Sequence, residues 1–135
     1  MDILSSLVAL VMGIVALAHF YWAFGGDYGL SSAGPKLKGS EVFKPGRLLT
    51  FIVACILMGL AILALQLRAP WQPLESFISY IGFFVSVVLI LRAIGDFNYV
   101  GFFKKTYNSD FARVDTKYFS PGILLLGIAY AILST

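Results

Sequence analysis

Two ionisable side chains, His19 and Arg92, lie inside otherwise apolar stretches of this sequence. An arginine offers a permanently charged planar fork to a carboxylate or phosphate, and a histidine titrates near neutrality. Two nearby acids, Asp96 and Asp115, could balance this charge, and Trp22 could form a wall of the same pocket. Because an ionisable group inside a membrane is costly, such groups are functional candidates by default. These five residues therefore predict a site for a small anionic or amphipathic ligand.

The composition indicates which elements must position these residues. The 135 residues are 59% hydrophobic and 13% charged, with a mean hydropathy of +0.88. Soluble domains are roughly 45–50% apolar and about 25% charged, so we expect an integral membrane protein. Since one helical span needs roughly 20 residues, the length accommodates four spans and no separate soluble domain. The predicted fold class is all-α, a four-helix transmembrane bundle forming a single domain.

Four apolar stretches define the predicted spans, at about residues 3–25, 47–67, 75–95 and 119–134. In the fourth, Ser120 and Pro121 resemble an N-cap followed by a first-turn proline, which leaves a regular helix of only about 15 residues. Alternatively, the first stretch is a cleaved secretory signal peptide and not a membrane span, since Ala16-Leu17-Ala18 resembles a cleavage site. The lack of a basic residue before it argues against cleavage.

The basic residues predict the orientation. Seven of the ten Lys and Arg residues lie in two long loops, 26–46 and 96–118, and Arg47 directly follows the first loop, while Arg68 lies alone on the other side. By the positive-inside rule, both loops are cytoplasmic and both termini lie outside, in a bacterial inner (plasma) membrane. Basic residues interleaved with aromatic ones in the second loop predict contact with anionic lipid headgroups, not with nucleic acid. These residues are Lys104, Lys105, Arg113 and Lys117.

Helical periodicity predicts which faces point inward, because helices in lipid approach each other through small residues. In the first span, the expected inward stripe is Ser5, Ala9, Met12, Ala16, His19 and Ala23, and the bulky outward stripe is Leu7, Leu10, Ile14, Leu17 and Tyr21. In the third span, the inward residues are Ser79, Gly82, Ser86, Arg92 and Asp96, and the outward ones are Phe77, Tyr80, Phe84, Val87 and Leu91. In the second span, we expect Cys55, Gly59, Ile62 and Gln66 to point inward.

The inward positions place His19 and Arg92 at a similar depth near the cytoplasmic ends of their spans. Asp96 follows Arg92 by four residues and can pair with it along the helix. A structural role remains open for these groups: Arg92 and Asp96 would satisfy each other, and His19 would hydrogen-bond a neighbouring helix. Small-residue pairs, Gly82/Ser86 and Gly127/Ala131, favour either packing within the chain or association into homo- or hetero-oligomers.

Three ordered motifs carry a resemblance to a known family. They are His19-Phe-Tyr-Trp22-Ala-Phe-Gly25-Gly26, Leu91-Arg92-Ala-Ile-Gly95-Asp96-Phe-Asn-Tyr-Val-Gly101-Phe-Phe-Lys104 and Phe111-Ala-Arg-Val-Asp115-Thr-Lys-Tyr118-Phe-Ser-Pro121. With these motifs, the sequence resembles domain-of-unknown-function family 3995 over essentially its whole length. The resemblance implies a small, mostly bacterial, four-helix integral membrane protein, and it implies no activity.

Three functions remain open. The leading hypothesis is a non-enzymatic protein that binds, or carries, a small anionic or amphipathic ligand at His19, Trp22, Arg92, Asp96 and Asp115. An accessory or assembly subunit with a purely structural polar cluster is one alternative. An enzyme acting on a lipid-soluble substrate is the other, and it needs His19 beside a carboxylate. One histidine and one cysteine exclude a disulfide and a multi-Cys/His metal site within one chain, and no cofactor is predicted.

Overall fold

A computed structural model describes residues 2–26, 46–69, 73–95 and 118–135. These residues contain four helices and no strand: α1 (Ile3–Ala23), α2 (Arg47–Gln66), α3 (Glu75–Ile94) and α4 (Ser120–Leu133). The predicted all-α, four-helix class is confirmed. By length and composition, α1, α2 and α3 are able to cross a membrane. The shorter α4 has 14 residues, so it is about 21 Å long.

Local sequence explains where the helices begin and end. The carboxylate of Asp2 caps α1 by accepting a hydrogen bond from the Leu4 amide at 3.1 Å. Just beyond α1 and α3 lie Gly25 and Gly95, with φ of 105° and 92°, a left-handed conformation that favours glycine.

The start of α4 differs in part from the prediction. Pro121 lies in the first turn, as predicted, but the N-cap residue is Phe119 and no side chain caps the helix. The expected Ser120 N-cap is therefore wrong. Ser120 is instead the first residue of the helix, and its side chain is buried in the protein.

The helices α1 and α2 form one antiparallel hairpin. Near the end of α1, the rings of Phe20 and Phe51 pack edge to face with their centroids 5.5 Å apart. At the opposite end, the carboxylate of Asp2 pairs with Arg68 Nε at 3.3 Å. We call these two ends of the molecule the His19 end and the Arg68 end.

The helices α3 and α4 form a second antiparallel hairpin. A Cβ atom placed on Gly127 would lie 2.8 Å from Ile90 Cγ1 and 3.2 Å from its backbone nitrogen. A Cβ atom on Gly82 would overlap Ser134 Oγ. The same Cβ atom would lie 2.9 Å from the Leu67 side chain, next to Arg68. The carboxyl end of α3 and the amino end of α4 therefore lie at the His19 end. The pairs Gly82/Ser86 and Gly127/Ala131 belong to this hairpin, in which Gly82, Ser86 and Gly127 are buried.

The two hairpins meet through a small core. Its centre is Tyr130 on α4, whose side chain is fully buried and whose hydroxyl donates a hydrogen bond to the Leu60 carbonyl of α2 at 2.5 Å. At the Arg68 end, Arg68 Nη2 donates to the Ile132 carbonyl at 3.2 Å. The buried residues of this core are Val8, Met12, Ala61, Ala64, Ala129, Tyr130 and Leu133.

The predicted faces of α1 and α3 agree with their exposure. The bulky residues assigned to the outside are all exposed, as Leu17 at 61% and Phe84 at 67% illustrate. On the other faces, Ala16 and Ser86 are buried, while His19 and Arg92 are partly buried. Small side chains therefore face the protein, as expected for helices packed in lipid.

The predicted inward face of α2 is wrong. Cys55, Gly59, Ile62 and Gln66 are exposed. The buried face of α2 consists of Thr50, Ala54, Ala61 and Ala64. Alanine side chains allow α1 to approach α2 closely. The predicted inward face, by contrast, included the large side chains of Ile62 and Gln66. The same small-residue rule, applied to the alanines, predicts the observed face.

Gly127→Ala is expected to lower the stability of the protein, because the new methyl group would overlap Ile90 and its backbone, which has little room to move. Overpacking of this kind costs about 1–3 kcal/mol. Thermal unfolding in detergent measures the effect, with Gly59→Ala as the matched control. Gly59 has nothing within 4 Å of its Cβ position, so its melting temperature should stay unchanged or rise slightly. Equal melting temperatures for the two variants would contradict the described α3–α4 contact.

Candidate functional site

Arg92 lies in the last turn of α3, at the His19 end. The residue is partly buried, its Nη1 atom is fully shielded from solvent, and it is engaged in at least one specific interaction. A cation is stabilised at this position by the partial negative charge of the helix carboxyl end. Three residues later, Gly95 ends the helix with its left-handed backbone. Gly95 therefore explains why α3 ends just after Arg92.

Ser120 lies on the neighbouring helix α4, about 7 Å further toward the His19 end than Arg92. Because Gly127 packs against Ile90, Arg92 lies about 3 Å and Ser120 about 10 Å further along the helix axes, both toward the His19 end. The Ser120 side chain is 0% exposed, and its Oγ has no hydrogen-bond partner in the part of the chain that the structure describes. A buried hydroxyl of this kind costs roughly 1–3 kcal/mol if it stays unsatisfied.

His19 and Trp22 form a separate pair on α1. His19 Nδ1 lies 2.8 Å from the Val15 carbonyl oxygen, and its ring meets that of Trp22 edge to face with centroids 5.0 Å apart. Because a carbonyl only accepts hydrogen bonds, Nδ1 is the donor and Nε2 is left as an acceptor. His19 is therefore oriented by its own helix.

Arg47 adds a second guanidinium to the His19 end. Its Nη2 atom lies 3.3 Å from the position that a Cβ of Gly25 would occupy. From the sequence, Arg47 counts only among the basic residues that predict the orientation, and Ser120 only as an N-cap, so neither is a predicted site residue. The signal for Ser120 was its place inside the third family motif, directly before Pro121.

The predicted site residues are thus only partly brought together. His19 and Trp22 are in contact on the first hairpin, while Arg92 belongs to the second hairpin at the same end of the molecule. Asp96 and Asp115 lie outside the described residues.

The described groups define the charge of each end. The His19 end contains Arg47, Arg92, the His19 imidazole and the buried Ser120 hydroxyl. The carboxylates within residues 2–26, 46–69, 73–95 and 118–135 are Asp2 and Glu75, both near the Arg68 end. No cluster of three or more metal-ligating side chains occurs in these ranges. The described part of the His19 end therefore favours an anion over a cation.

Comparisons with known proteins agree with the motifs. The family described as protein of unknown function (DUF3995) matches residues 12–130. This match includes all of the described candidate residues. It also covers more than half of each of the four helices. No curated protein and no solved structure matches the chain. On the extent of its match, the chain belongs to the DUF3995 family.

Proposed function

We propose that this protein binds, and carries, a small anionic or amphipathic ligand at the His19 end. The observation that supports this proposal is that the partly buried Arg92 and the buried Ser120 hydroxyl lie toward the same end of the α3–α4 hairpin. A guanidinium binds a carboxylate or phosphate through two parallel hydrogen bonds, and such charge-assisted bonds are stronger in a partly buried site. A ligand oxygen would also satisfy the Ser120 hydroxyl.

The remaining residues have supporting roles in this proposal. His19 Nε2 would accept a hydrogen bond from the ligand, because the bond to Val15 leaves that nitrogen available. Trp22, packed against the His19 ring, would provide an apolar wall for the tail of an amphipathic ligand. Asp96 and Asp115 would balance the charge of Arg92 when no ligand is bound.

The proposal includes a topology. In this arrangement α4 crosses the membrane together with the three long helices, both termini lie outside, and loops 26–46 and 96–118 are cytoplasmic, in a bacterial inner membrane. The asymmetry of basic residues between the two ends supports this orientation. Lys104, Lys105, Arg113 and Lys117 would then contact anionic headgroups and concentrate an anionic ligand near the site.

A second candidate function is that of an assembly subunit. The observation that favours it is the exposed face of α2, where Cys55 and Gly59 lie four residues apart and a Cβ on Gly59 meets nothing within 4 Å. Small residues at this spacing allow a partner helix to approach closely. In this case Arg92 would stabilise the fold and would bind no ligand.

Arg92→Gln is expected to weaken the stabilisation by anionic ligands. The test measures the melting temperature of the purified protein with inorganic phosphate, succinate, oleate or lysophosphatidic acid, since a bound ligand raises it. Loss of a charge-assisted hydrogen bond should weaken binding about tenfold, which corresponds to about 1.4 kcal/mol. Arg92→Lys should recover part of the response, because the charge remains but the fork is lost.

Arg68→Gln is the matched control for this experiment, because it removes the same charge at the opposite end. It should lower stability by breaking the pair with Asp2 and leave the response to anions intact. If no anion in this set stabilises the wild type, or Arg92→Gln responds as the wild type does, the ligand proposal is wrong. An Arg92→Gln variant that only loses stability or changes its oligomeric size supports the assembly function.

Ser120→Ala should leave the ligand-free protein as stable as before, or more stable by about 1 kcal/mol, because it removes a buried hydroxyl that has no hydrogen-bond partner among the described residues. Ser5→Ala is the matched control: Ser5 is also 0% exposed, but its hydroxyl donates to the Asp2 carbonyl at 2.8 Å. Its loss should cost about 0.5–1.5 kcal/mol. Denaturant titrations compare the two variants. A large destabilisation by Ser120→Ala would show that the hydroxyl serves the fold and not a ligand.

The proposed orientation predicts opposite labelling of two introduced cysteines in a Cys55→Ala background. In intact cells, a membrane-impermeant maleimide should label Thr135→Cys at the outside and should label Lys104→Cys only after lysis. The reverse pattern would place the long loops outside and would remove the cytoplasmic assignment of the site.

A further inference from the structure

A groove lies at the Arg68 end, opposite to the anion site proposed above. It runs between the first two turns of α3 and the residue that follows α4. Its volume is about 430 Å³, within the range of about 300–1,000 Å³ found for small-molecule sites. Hydroxyl, carboxylate and aromatic side chains form its lining, namely Glu75, Ser76, Ser79, Tyr80, Phe83 and Ser134.

The close packing of α3 against α4 shapes this groove. At Gly82, one turn beyond Ser79, there is no room even for a Cβ beside Ser134 Oγ and the Leu67 side chain. The Ser134 hydroxyl donates a hydrogen bond to the Tyr130 carbonyl at 2.7 Å. This hydroxyl therefore presents its lone pairs, and not its proton, to a ligand in the groove.

The groove carries a negative charge, and none of the described residues supplies a paired cation. The two carboxylates of the described residues are Asp2 and Glu75, and Asp2 is paired with Arg68 at 3.3 Å. Glu75, by contrast, has no cation within salt-bridge distance in the described ranges. The carboxylate of Glu75, with the hydroxyl oxygens of the neighbouring serines, forms a set of acceptors that suits an ammonium group with several N–H donors.

The walls of the groove favour the same chemistry. Tyr80 and Phe83 are 76% and 57% exposed, and aromatic faces attract organic cations. Further exposed aromatic and aliphatic residues, Phe84 and Val87, continue along α3 away from its amino end. A ligand with a cationic head at Glu75 could therefore extend an aliphatic tail along this apolar face. The groove lies at one end of an apolar helix, where lipid headgroups meet the hydrocarbon.

We propose that this groove binds the ammonium headgroup of a phospholipid of the phosphatidylethanolamine type. The ammonium lies against Glu75, the hydroxyls of Ser76 and Ser79 accept its hydrogen bonds, and Tyr80 covers it. The lipid phosphate faces the first N–H groups of α3, since the N-cap residue Leu74 provides no side-chain acceptor for them. The acyl chains follow the apolar face of α3. The site is independent of the anion site and has the opposite charge.

Native mass spectrometry of the full chain in detergent tests this site with three lipids of identical acyl chains. We expect phosphatidylethanolamine to bind most tightly, phosphatidylcholine less tightly because it lacks N–H donors, and phosphatidylglycerol least because it lacks a cation. Glu75→Gln should weaken phosphatidylethanolamine binding about tenfold, or about 1.4 kcal/mol. Phosphatidylglycerol bound as tightly as phosphatidylethanolamine would overturn the proposal, as would an unchanged affinity in Glu75→Gln.

Two controls separate this site from general effects of charge and hydrophobicity. Asp2→Asn removes the same charge at the same end and should leave the preference for phosphatidylethanolamine unchanged. Tyr80→Leu should weaken binding several-fold, whereas Phe77→Leu, which replaces an exposed aromatic residue outside the groove, should not. Equal losses in Tyr80→Leu and Phe77→Leu would show that the lipid binds the apolar surface of α3 without using the groove.

Discussion

Helices in lipid gain little from burying apolar side chains against each other, so this fold depends on how closely their backbones approach. Ala54 and Ala64 are fully buried on α2, and Gly127 on α4 leaves no space for a Cβ beside α3. These contacts decide which face of each helix is inward. The bulky side chains then have no place between the helices, which explains why residues such as Leu17 and Phe84 are exposed.

Close packing forms the two hairpins, and a small apolar core together with polar contacts joins them. The Tyr130 hydroxyl bonds to the Leu60 carbonyl across the hairpin boundary. Arg68 joins three helices at one end, because it pairs with Asp2 at the start of α1 and donates to the Ile132 carbonyl of α4. The molecule therefore has two chemically different ends. The described part of one carries guanidinium groups and a buried hydroxyl, and the other carries the carboxylate groove at Glu75.

The sequence predicted correctly those features that depend on a single helix, namely its exposed face and its end. Periodicity predicted the faces of α1 and α3, and the motif glycines Gly25 and Gly95 coincide with the left-handed ends of these helices. The prediction failed for α2, because two stripes on that helix contain small residues and only the partner helix α1 selects between them. It also failed for the Ser120 cap, because the packing of α4 turns that side chain into the protein. For the candidate site, sequence reasoning identified Arg92 and His19 but could not show that they lie on different hairpins.

The sequence by itself determined the all-helical class, the three helices able to cross a membrane and the family, because hydropathy, helix length and motifs are properties of the chain alone. Only the tertiary structure decided which residues lie close together in space. It placed Ser120 and Arg92 toward the same end of one hairpin, paired Asp2 with Arg68, and left Glu75 in a groove with Tyr80 and Ser134. The physical reason is that these relations join residues far apart in sequence, and they depend on the register between helices, which a few close contacts at small residues set.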